Sequence, residues 1–170
     1  MTRDGLIVVL GVGNILMRDD GVGVRVVSEL LHDRDRGDVD LPPGTELVDG
    51  GTLGLSLLPI IDHDVRALLL IDAVDLAQPP GTVTVLRDDG IEAALGGHLS
   101  PHQAGVADLI AAARLTGTLP PAVSLVGVQP AIVDVGLALS PSVRLAMASV
   151  KAAVCRELAN LDARARGVPA

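Results

Sequence analysis

The chain has 170 residues and a formal net charge of -8, is 49% hydrophobic, and contains no Phe, Tyr or Trp. Such a length buries a full core without disulfide or metal staples, so a single domain over 1–170 is expected, with its core at about 6–160 and a flexible C-terminal tail. The acidic balance opposes a phosphate backbone and the missing aromatic rings remove the stacking platforms of single-strand binders, which excludes nucleic acid as an expected partner.

Every apolar run is short, so no membrane span is expected. Met1-Thr2-Arg3-Asp4 lacks the basic region and small-residue cleavage site of a signal peptide. A single cysteine, Cys155, has no second thiol to pair with and suits a reducing, cytoplasmic setting as a small buried apolar residue.

The run at 6–10 (Leu-Ile-Val-Val-Leu) reads as a buried parallel strand. It leads into Gly11-Val12-Gly13-Asn14-Ile15-Leu16-Met17-Arg18-Asp19-Asp20-Gly21-Val22-Gly23, a loop that carries two adjacent carboxylates away from the C-terminal end of a strand. Val24, Val27 and Leu31 recur at helical spacing and predict a helix over 21–32, ended by the charged stretch 33–40, a solvated surface connection, and by Pro42-Pro43-Gly44. A second strand is expected at 45–48, then Asp49-Gly50-Gly51-Thr52 and a helix over 53–61. The third strand, 66–71, ends on Asp72. The alternating run 81–86 follows Pro79-Pro80 and reads as an edge strand, and 123–128 is the fifth strand. Val143, Met147, Val150, Val154, Leu158 and Leu161 share one face of a last helix. Apolar runs alternating with helical patterns predict an α/β fold built on a mainly parallel five-stranded sheet.

Parallel strands put their C-terminal ends on one edge, so Asp19, Asp20 and Asp72 are candidates to meet in one crevice. The competing roles are structural: Asp20 as N-cap of the first helix, and Asp72 as a cap on a following turn. A third element is Ser100-Pro101-His102-Gln103, which has the form of a helix start, with Ser100 as N-cap and Pro101 at the first helical position. The positive end of the helix dipole keeps His102 neutral, the form that binds a metal or accepts a proton. Two carboxylates and a neutral imidazole make a mixed nitrogen and oxygen site for a divalent transition metal, with coordination completed by water or substrate. His32 and His63 at predicted helix ends and His98 in a loop are not candidates. A dinucleotide fingerprint requires a third glycine at position 16, where Leu16 stands, so a nucleotide-binding Rossmann-like domain is kept only as a rival reading.

Gly11-Val12-Gly13-Asn14-Ile15-Leu16, Asp19-Asp20-Gly21-Val22-Gly23, Asp49-Gly50-Gly51-Thr52, Ile71-Asp72-Ala73, Leu99-Ser100-Pro101-His102-Gln103 and Leu125-Val126-Gly127-Val128-Gln129-Pro130 together closely resemble the hydrogenase maturation proteases, from about residue 6 to 160. The resemblance implies a three-layer domain with a twisted, mainly parallel sheet flanked by helices. It also implies an endopeptidase that trims the C-terminus of a nickel-iron hydrogenase large subunit once nickel has been inserted. Cleavage in that family follows a basic or histidine residue beyond the last metal-binding cysteine motif. The family's nickel-contacting and catalytic positions fall on Asp20, Asp72 and His102, with Asp20 one methylene shorter than the glutamate of some members. The substrate-recognition loop falls on Asp49, Gly50, Gly51 and Thr52. From the residues alone the metal reads as resident; the resemblance implies instead that the nickel arrives on the substrate. Asp19 better suits shaping the turn than touching the metal. No Ser/His/Asp triad or Cys/His pair is indicated, and the rival within the same resemblance is a nickel-sensing chaperone that holds the precursor without cutting it.

Overall fold

Strand β1 (Leu6–Val12) is buried along almost its whole length, because its apolar residues lie between two neighbouring strands and beneath helices on both faces. The computed structural model describes residues 5–61, 64–95 and 104–167. β1 pairs in parallel with β2 (Thr45–Gly51) on one side and β3 (Val65–Ala73) on the other. β3 pairs in parallel with β5 (Ala122–Val128), and β4 (Val83–Arg87) closes that edge antiparallel to β5, giving the order β2-β1-β3-β5-β4.

The period of two along each strand divides the core into two halves. Ile7, Val9, Leu69, Ile71 and Val126 face the helices α1 (Val22–Arg36) and α4 (Pro141–Ala165), where Val27, Leu30, Val150 and Leu158 meet them. Val8, Leu10, Leu68, Leu70 and Leu125 face the other way, under a 3-10 segment (Gly54–Ile60), α2 (Asp89–Leu95) and α3 (Ala104–Thr116). This is the three-layer α/β architecture expected, filled by branched aliphatic side chains in place of rings. None of the described helices is long and apolar enough to cross a membrane.

Element boundaries differ in instructive ways. α1 continues to Arg36, into the stretch read as a surface connection, because Asp33 receives Arg36 and Lys151 on its solvent side. Gly37, at φ 77°, then ends the helix in the left-handed conformation. The 54–60 segment winds as a 3-10 helix with Pro59 inside it, a residue that cannot donate the bonds of a continuing α-helix. β2 and β3 run further than expected, so Asp49 and Asp72 lie within strand ends. The short helix α2 was not anticipated. His32 lies inside α1 rather than at its end, with Nδ1 at 2.9 Å from the Ser28 carbonyl oxygen. Cys155 is half-buried against the α4 side of the core rather than fully enclosed, and burial pushes its thiol up, an inert state.

From β1 the chain crosses to β2 on one side, while β3 lies on the other and leads towards β5. The crevice outside the C-terminal ends of β1 and β3 is therefore the topological switch point of the sheet, where α/β folds place their ligands.

Candidate active site

The β1–α1 loop is drawn tight over this switch point. Gly13 has φ +125°, and a Cβ there would stand 1.8 Å from the Asp20 carbonyl oxygen. Gly23, in the first turn of α1, leaves room for Ile71 O and Val12 O, which a Cβ would meet at 2.1 and 2.5 Å. These glycines let a helix start press against two strand ends. The same compaction winds Arg18–Gly21 into a 3-10 turn that delivers Asp20 beside the end of β3.

Asp20 and Asp72 are 5% and 4% exposed, yet both line one open cleft of about 390 Å3 together with Asn14, Gly51, Thr52 and Val106. Asp20 does not serve the helix cap considered from sequence: Gly21 stands at the N-cap of α1, with no side-chain cap bond. Asp20 Oδ2 accepts the Asn14 N–H at 2.8 Å, and Asp72 Oδ1 accepts the Ala73 N–H at 2.8 Å. Burial, reinforced by the Asp20 charge, pushes the Asp72 carboxyl well above the usual carboxylate range against the Ala73 bond. Two carboxylates that repel each other in a cleft are a donor set suited to a divalent cation.

His102 lies outside the described residues, as do Ser100, Pro101, Gln103, His98 and His63. α3 itself reaches the carboxylate cleft with Gly105 and Val106. Among the described residues no three His, Cys, Asp or Glu side chains are grouped to hold a metal, so the described part of the candidate site is the Asp20–Asp72 pair.

Asp19 turns the other way. Fully buried, it accepts the Ala131 and Ile132 N–H groups at Oδ2 (2.9 and 3.0 Å), the Ser140 N–H at Oδ1 (2.7 Å) and the Ser140 hydroxyl at Oδ2 (2.7 Å). Burial opposes its ionisation, but the bonds from Ile132, Ser140 and Ala131 outweigh it and hold the carboxyl below its ordinary value. Asp19 thus anchors the segment after β5.

Of the 49–52 group, Gly51 and Thr52 line the carboxylate cleft, and Asp49 joins them along an adjoining groove of about 280 Å3. Asp49 Oδ1 accepts the Gly51 N–H at 3.0 Å and shapes the turn. Gly50 is buried beneath, where a Cβ would come within 3.1 Å of Gly11 O and Leu57. Asn14 was given no role from sequence, yet it lines both cavities, holds Asp20 through its backbone and accepts the Leu16 N–H at 2.9 Å with Oδ1. Its position beside Gly13 was the available signal.

Residues 24–157 match the family model described as hydrogenase maturation protease. The chain belongs to the hydrogenase maturation protease family. It is 42% identical over 139 residues to the hydrogenase expression/formation protein HupD of Rhodobacter capsulatus, covering 81% of this chain and 63% of that protein's length. It is 41% identical over 137 residues to the hydrogenase 2 maturation protease of Escherichia coli, covering 81% of this chain and 80% of that one. The structure of the E. coli hydrogenase maturating endopeptidase HybD superposes with a TM-score of 0.81 at 36% identity, over 91% of this chain and 93% of that one.

Proposed function

We propose that this maturation protease removes a C-terminal peptide from the nickel-loaded precursor of a nickel-iron hydrogenase large subunit. The observation that carries the reading is the convergence of Asp20, Asp72, Gly51 and Thr52 on one cleft at the switch point, in a chain of this family. In this reading nickel is part of the substrate, held by the precursor's cysteines, and Asp20, Asp72 and His102 engage its open positions. A cation between Asp20 and Asp72 relieves their mutual repulsion, so the cleft favours a loaded precursor over an empty one.

Engagement there places the peptide beyond the metal-binding cysteines along Gly51 and Thr52, whose small side chains leave room for a backbone. Holding the scissile bond beside a polarising cation and an acceptor side chain converts attack by water into a positioned step. Asp20, Asp72 or His102 takes the proton from that water, and the leaving amine is protonated as the peptide departs.

The test uses purified precursor, nickel-loaded and nickel-free, with mass spectrometry of the released peptide. Release from the loaded form alone, abolished by His102→Ala, Asp20→Asn and Asp72→Asn, is expected. A stable complex without release would establish the holding chaperone instead.

A further inference from the structure

Two loops beside the cleft carry apolar side chains for which the reaction has no use. Ile15 and Leu16 are 45% and 57% exposed, and Ile132, Val133, Val135 and Leu137 are 41%, 39%, 77% and 67% exposed. These are not loose tips. Met17 and Gly136 form a parallel bridge, in which the Gly136 N–H donates to Leu16 O and the Arg18 N–H to Gly136 O, both at 2.9 Å. The Asp19 N–H donates to Ile132 O at 3.2 Å, the Asp19 carboxylate holds both ends of the second loop, and Arg25 Nη2 donates to Leu137 O. All the anchoring on the 131–137 side uses backbone atoms, which leaves its apolar side chains outward on a pinned backbone. Single exposed leucines are ordinary, but six large apolar residues on two zipped loops form a patch of the kind that marks a protein contact.

The patch is continuous with the site. Ile15 and Leu16 wall the 280 Å3 groove, which shares Gly13, Asn14, Gly51 and Thr52 with the carboxylate cleft. An extended chain leaving the Asp20–Asp72 cleft through this groove passes directly over Leu16. Across the bridge stand Val135 and Leu137. With a net charge of -8 and Asp134 within the second loop, an acidic segment is disfavoured.

We propose that this ridge docks an apolar, extended segment of the precursor polypeptide adjacent to its scissile bond, so that substrate is read by two surfaces: carboxylates for the metal and the ridge for the chain. The inference rests on the precursor-processing reading and adds the surface that selects the polypeptide. Binding energy at such a ridge is shared by ground and transition states, so its loss raises KM and leaves kcat in place.

The triple variant Leu16→Ser/Val135→Ser/Leu137→Ser tests it, with Leu115→Ser, which removes an 89% exposed side chain on α3, as the control. With nickel-loaded precursor the triple variant should raise KM about tenfold or more, with kcat within about twofold, and the control should match wild type. A photo-crosslinking residue introduced at Val135 in the otherwise wild-type chain should capture the precursor near its C-terminus, a readout that needs neither cleavage nor the triple variant. Unchanged KM with no crosslink overturns the ridge while the protease reading stands. Crosslinking without peptide release supports the ridge and overturns the protease reading. A wild-type dimer converted to monomer by the triple variant, with KM unchanged, assigns the patch to self-association and overturns the proposal.

Discussion

Ser140 donates twice to Asp19, its N–H to Oδ1 and its hydroxyl to Oδ2, each at 2.7 Å and across 121 positions of sequence. The next residue, Asp20, takes the Asn14 N–H and lines the cleft. Two adjacent carboxylates are therefore divided between the fold and the candidate site, which a pair of substitutions separates. Asp19→Asn puts an amide donor among N–H donors in a buried pocket and should cost about 3 kcal/mol of stability. Asp20→Asn keeps an acceptor for Asn14 and should stay within about 1 kcal/mol of wild type while precursor processing is lost. Urea denaturation beside a peptide-release assay reads both; an Asp19→Asn protein as stable as wild type would contradict the anchoring role.

Asp72 predicts the opposite stability effect. Its carboxyl is buried near the Asp20 charge, an arrangement that favours a cation and disfavours the empty fold. Asp72→Asn retains an oxygen for the Ala73 N–H and removes the repulsion. The variant should gain about 0.5–2 kcal/mol and lose processing, the trade expected where a site is held against its own stability. Thermal unfolding without metal measures the gain, and a destabilised variant would show that Asp72 serves the fold instead.

Much of this was legible in the chain. Strands of aliphatic residues announce themselves by run length, and the run 81–86 reads as an edge from the Pro79-Pro80 that precedes it, where the structure has the edge strand β4 at 83–87. That Asp20 and Asp72 share a cleft is expected because parallel strands share an edge for their C-terminal ends, a rule that needs no side-chain detail. What stayed hidden depended on contacts far apart in sequence. Asp19 reads from the sequence as shaping its turn, but the partners that give it that role, Ala131, Ile132 and Ser140, lie more than a hundred residues away. The helical course of 33–36 rests partly on Lys151, more than a hundred residues away. Exposure of Leu16 and Val135 is equally invisible, since an apolar residue in a loop reads as core until the fold leaves it outside.

Gly23 gives a prediction free of titration. A methyl group there would meet two backbone carbonyl oxygens, Ile71 O at 2.1 Å and Val12 O at 2.5 Å, neither of which can rotate away. Gly23→Ala should push α1 off the ends of β1 and β3, costing about 3 kcal/mol or more and moving Asp20 from Asp72. Both stability and processing should fall together, by denaturation and peptide release. A Gly23→Ala protein with wild-type stability would mean that the helix start can yield without cost.

Glu157 sets an acid limit on the fold from the side remote from the cleft. It is 3% exposed; Oε1 accepts Arg87 Nε at 2.8 Å and the Ser124 hydroxyl at 2.7 Å, and Oε2 accepts Arg87 Nη2 at 2.7 Å. Burial works against the charged form, but the bonds from Arg87, Ser124 and Asn160 outweigh it and hold the carboxyl below its ordinary value of 4.5. The folded state therefore binds this proton less readily than the unfolded chain, and stability drawn from the pair is complete above pH 4.5 and declines as pH falls through the lower folded value. Glu157→Gln should cost about 1–3 kcal/mol at neutral pH, because the Arg87 fork and the Ser124 hydroxyl lose a charged acceptor. The gap between wild type and variant should hold constant from pH 8 to about 5 and narrow below about 4.5. Urea midpoints across that range measure it; a gap that widened on acidification would reverse the sign of the linkage and remove Glu157 as its source.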